Sequence, residues 1–199
     1  MHPANMRRKK TFLFILLLIL LGIFFFLKKT EPPLGPLNGV HEHVDFKVYL
    51  KGQAYNLSQQ KYMSTADSKL SPFIHLHDSD GNIIHLHASG ITLGMLFQSL
   101  GMNLTSTCFT LDNGTSYCTN QDYTLSMYVN GKKNNNYEKY GIKDLDRILL
   151  TYRNEDKGTL NTELNSVTDN ACIFSGKCPE RGAPPDESSC LTEKGACFA

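Results

Sequence analysis

Two copies of His-Leu-His, His75/His77 and His85/His87, lie ten residues apart in "IHLHDSDGNIIHLHA" (74–88), and a third pair, His41 and His43, stands upstream in "HEH". Six of the seven histidines therefore fall in His-x-His pairs, and only His2 is separate. Neutral imidazole ligates Zn²⁺, Cu²⁺ and Ni²⁺, with zinc–nitrogen bonds of about 2.0–2.1 Å. Ligation by imidazole alone suits zinc or oxidised copper. Cu(I) prefers sulfur, and Met63, Met95, Met102 and Met127 show no clustered spacing. Glu42, Asp45 and Asp78 lie near the pairs in sequence, as further ligands or as acceptors that fix a ring tautomer. One such pair is usually a polar stripe on a strand; three pairs that use nearly every histidine favour a metal. The competing reading is a pH-responsive or polar binding face.

The elements that must position these rings can be read from alternation. On a strand, residues i and i+2 share a face. In "HVDFKVYL", Val44, Phe46, Val48 and Leu50 point one way and His43, Asp45, Lys47 and Tyr49 the other, the pattern of a half-buried strand. Residues 73–77 and 83–88 read as two strands around "DSDGN". An even turn would send their histidines to opposite faces. An odd loop, Asp80-Gly81-Asn82 with Asn82 left-handed, pairs His77 with His85 and His75 with His87, and it stacks Ile74, Leu76, Ile84 and Leu86 on one apolar face. The apolar pattern thus selects the arrangement that clusters the histidines. Grouped imidazoles repel one another when protonated, which favours the neutral, ligating form.

Little in the sequence asks for catalysis. A catalytic metal needs an open position and a nearby acid or base, and no Gly-x-Ser-x-Gly, phosphate loop or His-Glu-x-x-His is present. The six cysteines are Cys108, Cys118, Cys172, Cys178, Cys190 and Cys197. None forms the Cys-x-x-Cys of thioredoxin-type exchange, and an even count reads as structural disulfides, with 15 pairings allowed. In "CFTLDNGTSYC" a three-residue loop, Asp112-Asn113-Gly114 with Gly114 left-handed, sets Cys108 opposite Cys118; a two-residue Asn-Gly turn would make them diagonal. Pairs 172–178 and 190–197 are the simplest completion. Sequons at Asn56, Asn103 and Asn113 are weak glycosylation signals.

The chain opens "MRRKK" from Met6, then runs from Thr11 to Leu27 without a charge. At about 1.5 Å per residue this run reaches roughly 25 Å, the short end of a bilayer span. It reads as an uncleaved signal anchor, with a cleaved signal peptide as the rival. Arg7, Arg8, Lys9 and Lys10 against Lys28 and Lys29 place the N-terminus in the cytoplasm and residues 30–199 outside the cell membrane. Six of the 20 basic residues and none of the 19 acidic ones lie in 1–29. The remainder is therefore acidic, which argues against nucleic acid as a partner.

The expected organisation is a basic segment and anchor (1–29), a Pro/Gly linker (30–39), a His-rich domain (40–155) and a Cys/Pro-rich tail (156–199), held by disulfides or docked on the body. Within the domain, "ITLGMLFQSLGM" carries Leu93, Leu96, Phe97 and Leu100 at helical spacing, with Thr92 as N-cap and Gly101 as stop. "YTLSMYVNGKK" and "DLDRILLTYRN" supply late strands. The fold class is α+β, a mixed sheet on one main helix.

"HEHVDFKVYLKGQ", "SPFIHLHDSDGNIIHLHASGITLGMLFQSLGM", "MYVNGKK", "DLDRILLTYRNED" and "DNACIFSGKCPERGAPPDESSC" together resemble an uncharacterised family of membrane-anchored outer proteins of archaea and small-genome bacteria, some labelled protein-disulfide isomerase. That label has no motif behind it here. "ITLGMLFQSLG", "YVNGKK" and "IKDLDRILLTY" resemble β-grasp domains of the transcobalamin-C-terminal type, which implies a ubiquitin-like sheet across a helix. The expectation is an outward-facing, single-pass protein that binds copper or zinc through His75, His77, His85 and His87, with His41 and His43 completing or flanking the site. The alternatives are a metal-dependent or thiol-disulfide surface enzyme, or a non-catalytic assembly module with an unspecified protein partner.

Overall fold

The structure is a computed structural model and describes residues 12, 14–16, 33–65, 70–154 and 157–185. Contacts divide the chain into two compact units, Met1–Pro33 and Leu34–Ala199; the sheets and the histidines belong to the second. The expected anchor lies almost wholly outside the described residues. Among those described, no helix is long and apolar enough to cross a membrane.

The second unit is α+β. Among the described residues ten strands run in chain order: β1 (Glu42–Leu50), β2 (Gln53–Ala54), β3 (Ile74–His75), β4 (Ile83–Leu86), β5 (Asn103–Leu104), β6 (Cys108–Thr110), β7 (Ser116–Cys118), β8 (Thr124–Val129), β9 (Lys132–Asn134) and β10 (Arg147–Arg153). The helices are α1 (Leu93–Ser99), α2 (Lys157–Ser166) and the single turn α3 (Ala171–Phe174). The main sheet has the order β3-β4-β1-β10-β8-β9, with β2 also on β1. At its centre β1 and β10 run parallel, and the other pairings are antiparallel. Strands β5, β6 and β7 form a separate three-stranded sheet.

The alternation in β1 explains the core. Val44, Phe46, Val48 and Leu50 face α1, whose Leu93, Leu96 and Phe97 are buried with them. Phe97 packs edge-on to Phe46, with ring centres 5.8 Å apart. As expected, Thr92 stands at the N-cap of α1, though its side chain makes no capping bond, and Gly101 follows the helix with φ +72°. The cysteine hairpin also forms as expected. Cys108 is opposite Cys118 and bonded to it, Leu111 N–H donates to Thr115 O, and Gly114 has φ +84°.

Two expectations need correction. The histidine hairpin keeps its faces but shifts its register by two residues: His75, not His77, is opposite His85, and Ile74 is opposite Leu86. The left-handed residues are Asp78 and Ser79 rather than Asn82. The loop is longer because it is tied to a neighbouring segment. Gly81 N–H donates to Ser58 Oγ, and a Cβ on Gly81 would lie 2.3 Å from the Leu57 carbonyl carbon. Asp80 meanwhile accepts from the Asn82 backbone. A shift of two preserves every side chain's face, whereas a shift of one would reverse them all.

The second correction concerns the far face of the sheet, which is not open to solvent. Residues 157–181 lie across it. Asp45, buried in β1, accepts hydrogen bonds from Thr168 Oγ1 and from the Asn170 and Ala171 backbones, the latter two at 2.9 Å. Lys47 Nζ donates to Ser166 O, Tyr49 OH to Ser166 Oγ, and Arg147 Nε to Thr168 O. Thr151 donates to the buried Glu163, whose carboxyl is pushed up by burial. The polar side chains of β1, which read as the open side of a half-buried strand, form the docking surface for the tail together with Arg147 and Thr151 of β10.

Candidate metal centre

Three strand segments bring the six histidines together. His43 lies on β1 directly opposite His85 on β4, and His85 lies opposite His75 on β3. Three adjacent strands therefore carry one transverse row of imidazoles. His41, His77 and His87 flank the row two residues along each segment. Five of the six are between 0 and 3% exposed; His41 alone reaches solvent. Ring centres are 4.6 Å apart for His41–His43, 4.8 Å for His43–His85, 3.7 Å for His77–His85, 5.0 Å for His75–His87 and 5.1 Å for His41–His87. Every predicted histidine joins the cluster.

The tightest set is His41, His43 and His85, whose ring nitrogens, one from each, all lie within 4.8 Å of one another. Sequence spacing favoured His75, His77, His85 and His87 as the primary set. The pairing of β1 with β4, which no local pattern reveals, puts His43 against His85.

The tautomers follow from the partners. His75 Nδ1 is 2.9 Å from the Ser71 carbonyl, which only accepts, so this nitrogen carries the proton. His77 Nδ1 is 2.7 Å from the Asp78 carboxylate. His43 Nδ1 is 3.0 Å from Ser175 Oγ, and that hydroxyl donates to Asp144 Oδ1 at 2.8 Å, leaving its lone pair to accept from His43. In all three rings Nε2 is then the lone-pair nitrogen. An oxygen acceptor behind a histidine is the arrangement that orients metal-binding imidazoles and raises their basicity. His77 Nε2 is buried and has no hydrogen-bond partner among the described residues.

The electrostatics point the same way. Burial, and then the imidazoles of His77, His43, His75 and His87, hold His85 well below its ordinary value, so it is neutral at pH 7. Carboxylates gather at one side. Burial alone would push Asp144 up, but bonds from Lys177, the His43 backbone and Ser175 hold it below its usual value. Glu42 is raised by burial and by Asp144.

The tail closes the centre. Phe174 lies 5.6 Å from His43 and 5.8 Å from His85, ring centre to ring centre. Phe174 and Ser175 both sit inside the loop closed by the Cys172–Cys178 disulfide, the second pairing expected from sequence. Lys177 of the same loop pairs with Asp144. Cys190 and Cys197 lie outside the described residues. Sequence reasoning missed Ser71, Asp144, Phe174 and Ser175; the only signal was "CIFSGKC", which read as a bridge alone. Of the acidic residues singled out, Asp78 orients a histidine and Asp45 anchors the tail.

Comparison with protein-family models, with curated proteins and with solved structures returns no match.

Proposed function

We propose that this chain is a membrane-anchored, outward-facing protein that binds a transition-metal ion, zinc or copper, within its histidine cluster. The observation that carries the reading is the set of three oxygen acceptors, Ser71 O, Asp78 Oδ2 and Ser175 Oγ, behind His75, His77 and His43. A merely polar strand face has no reason to bury its imidazoles with the same nitrogen pinned. The ring nitrogens best placed for the ion are those of His41, His43 and His85, with the rings of His75, His77 and His87 beside them. Nitrogens on one tetrahedral ion sit about 3.3 Å apart at zinc–nitrogen bonds of about 2.0–2.1 Å, so ring rotation closes the set from its present spread of up to 4.8 Å. Exposed His41 is the point of entry, which suits capture, delivery or sensing.

The strand order supports the β-grasp reading of the fold. Two central parallel strands, β1 and β10, are flanked by antiparallel partners, and one helix lies between β4 and β5 in the chain. Fold alone carries no function.

The test is the metal content of the full-length protein, purified in detergent without a histidine tag, beside a His43→Ala/His85→Ala variant. At least one equivalent of copper or zinc, lost in a folded variant, supports the reading. No bound metal after reconstitution at neutral pH overturns it.

A further inference from the structure

The far face of the main sheet carries a second group of polar side chains, remote from the histidines. In β8, Leu125, Met127 and Val129 belong to the core, so Thr124, Ser126 and Tyr128 point to the face on which α2 lies. The register sets Thr124 opposite Arg153 and Ser126 opposite Thr151 on β10, and Tyr128 opposite Lys133 on β9. Thr151 is bonded to Glu163 of α2. Beside that bond, Thr124, Ser126, Tyr128, Lys133, Arg153 and Leu160 of α2 line a cavity of about 250 Å³.

The cavity is basic within an acidic domain. Lys133 and Arg153 supply two cations, and among the described residues no Asp or Glu lines it; Glu155 and Asp156 lie outside them. Lys51 stands on a second cavity that shares Arg153 with the first. Arg153 also has a structural duty, since it donates to Asn154 O and draws the Glu163 carboxyl down against the larger effect of burial. The other polar groups have none. Ser126 is only 6% exposed, yet its hydroxyl makes no hydrogen bond among the described residues, and neither do the hydroxyls of Thr124 and Tyr128 or the Lys133 ammonium. Polar groups at such depth are ordinarily satisfied. Water would satisfy the hydroxyls but gives two cations on one cavity no counter-charge.

We propose that this cavity binds a single phosphate group, inorganic or at the end of a small phosphomonoester, with Lys133 and Arg153 as counter-charges and Thr124, Ser126 and Tyr128 as hydroxyl donors. Three hydroxyls, an ammonium and a guanidinium offer more donors than the two oxygens of a carboxylate can accept. The three free oxygens of a phosphate use more of them, and Arg matches phosphate through paired N–H donors. A nucleic acid would have to lay its further phosphates across an acidic surface; one phosphate does not. The site shares no residue with the histidine cluster and stands apart from the metal reading.

The test is isothermal titration of the full-length, metal-free protein in detergent, at low ionic strength and mildly alkaline pH, with inorganic phosphate and with glycerol 3-phosphate, acetate serving as comparison. Saturable binding of one equivalent of phosphate is expected. Lys133→Gln and Ser126→Ala should each weaken it about 10-fold, the size expected for one hydrogen bond to a charged group, and should leave the urea midpoint in place because neither side chain holds a partner among the described residues. The His43→Ala/His85→Ala variant should bind phosphate as the unaltered protein does. No saturable binding of either phosphate would overturn the proposal. So would undiminished binding by the Lys133 and Ser126 variants, or acetate bound as tightly as phosphate. The comparison of phosphate with acetate on the unaltered protein decides the matter even if a variant fails to fold.

Discussion

Asp45→Asn should loosen the tail over the histidines without unfolding the sheet. The Asp45 carboxylate accepts from Thr168 Oγ1, Asn170 N and Ala171 N, all belonging to the segment that carries Phe174 and Ser175. Hydrogen bonds to a charged acceptor contribute about 1.5–3 kcal/mol each, and a buried donor left unpaired costs about 1–3 kcal/mol. Asparagine keeps one acceptor oxygen but points an N–H at a donor, so at least one bond is lost and one donor orphaned. The net cost is about 2–4 kcal/mol by those figures. A domain of this size is stable by roughly 5–15 kcal/mol, so the sheet survives while local opening of the tail becomes easier. A cost of 2 kcal/mol corresponds to roughly a 30-fold rise in the open fraction. Hydrogen exchange should show that loss of protection for the backbone amides of Asn170, Ala171, Ile173 and Ser175, with Phe46 and Leu150 of the central strands unchanged. Bound metal should leave faster in the same variant. Unchanged exchange in the tail, or equal loss in tail and sheet, would refute the idea that Asp45 anchors a separable lid.

Other consequences are smaller in scope. Ser175→Ala removes the acceptor behind His43 Nδ1 and should weaken metal binding about 10–100-fold, read by competition with a chelator; unchanged affinity would show that the Asp144–Ser175 relay does not orient the ring. Metal-free protein should lose stability on acidification. His85 has a folded value below the ordinary 6.5, so the unfolded chain takes up its proton first, and stability is full above about pH 6.5 and falls below it. A urea midpoint that stays level from pH 7.5 to 5 would contradict the burial of a neutral His85. Cys172→Ser/Cys178→Ser opens a seven-residue loop, worth about 2 kcal/mol in chain entropy, and should speed metal release. Cys108→Ser/Cys118→Ser, on a hairpin of the other sheet, should not.

What was legible in the sequence was local and periodic. The alternation around His75 and His85 demanded that Ile74, Leu76, Ile84 and Leu86 share a face, and the odd parity of the turn followed. The register itself was not legible, because Gly81 is held by Ser58, a contact 23 residues away that no turn rule contains. The Cys108–Cys118 pair was readable because its loop and its register are a single local problem. That the tail docks on the body was one of the two readings the sequence allowed, but where it docks was hidden for a different reason. Asp45, Lys47 and Tyr49 alternate with apolar residues as solvent-facing positions do, and only the docked tail, more than 115 residues later, gives them partners. Asp144 and Ser175 are likewise remote from His43 in sequence, so residue types alone could not nominate them.

The central claim is that imidazole nitrogens of this cluster hold a transition metal. X-ray absorption at the metal edge of the reconstituted, full-length protein tests it most directly. The account predicts a first shell of nitrogen at about 2.0–2.1 Å, with the outer-shell scattering of several imidazole rings and no sulfur. A shell of sulfur at about 2.3 Å, or of oxygen without imidazole scattering, would contradict it.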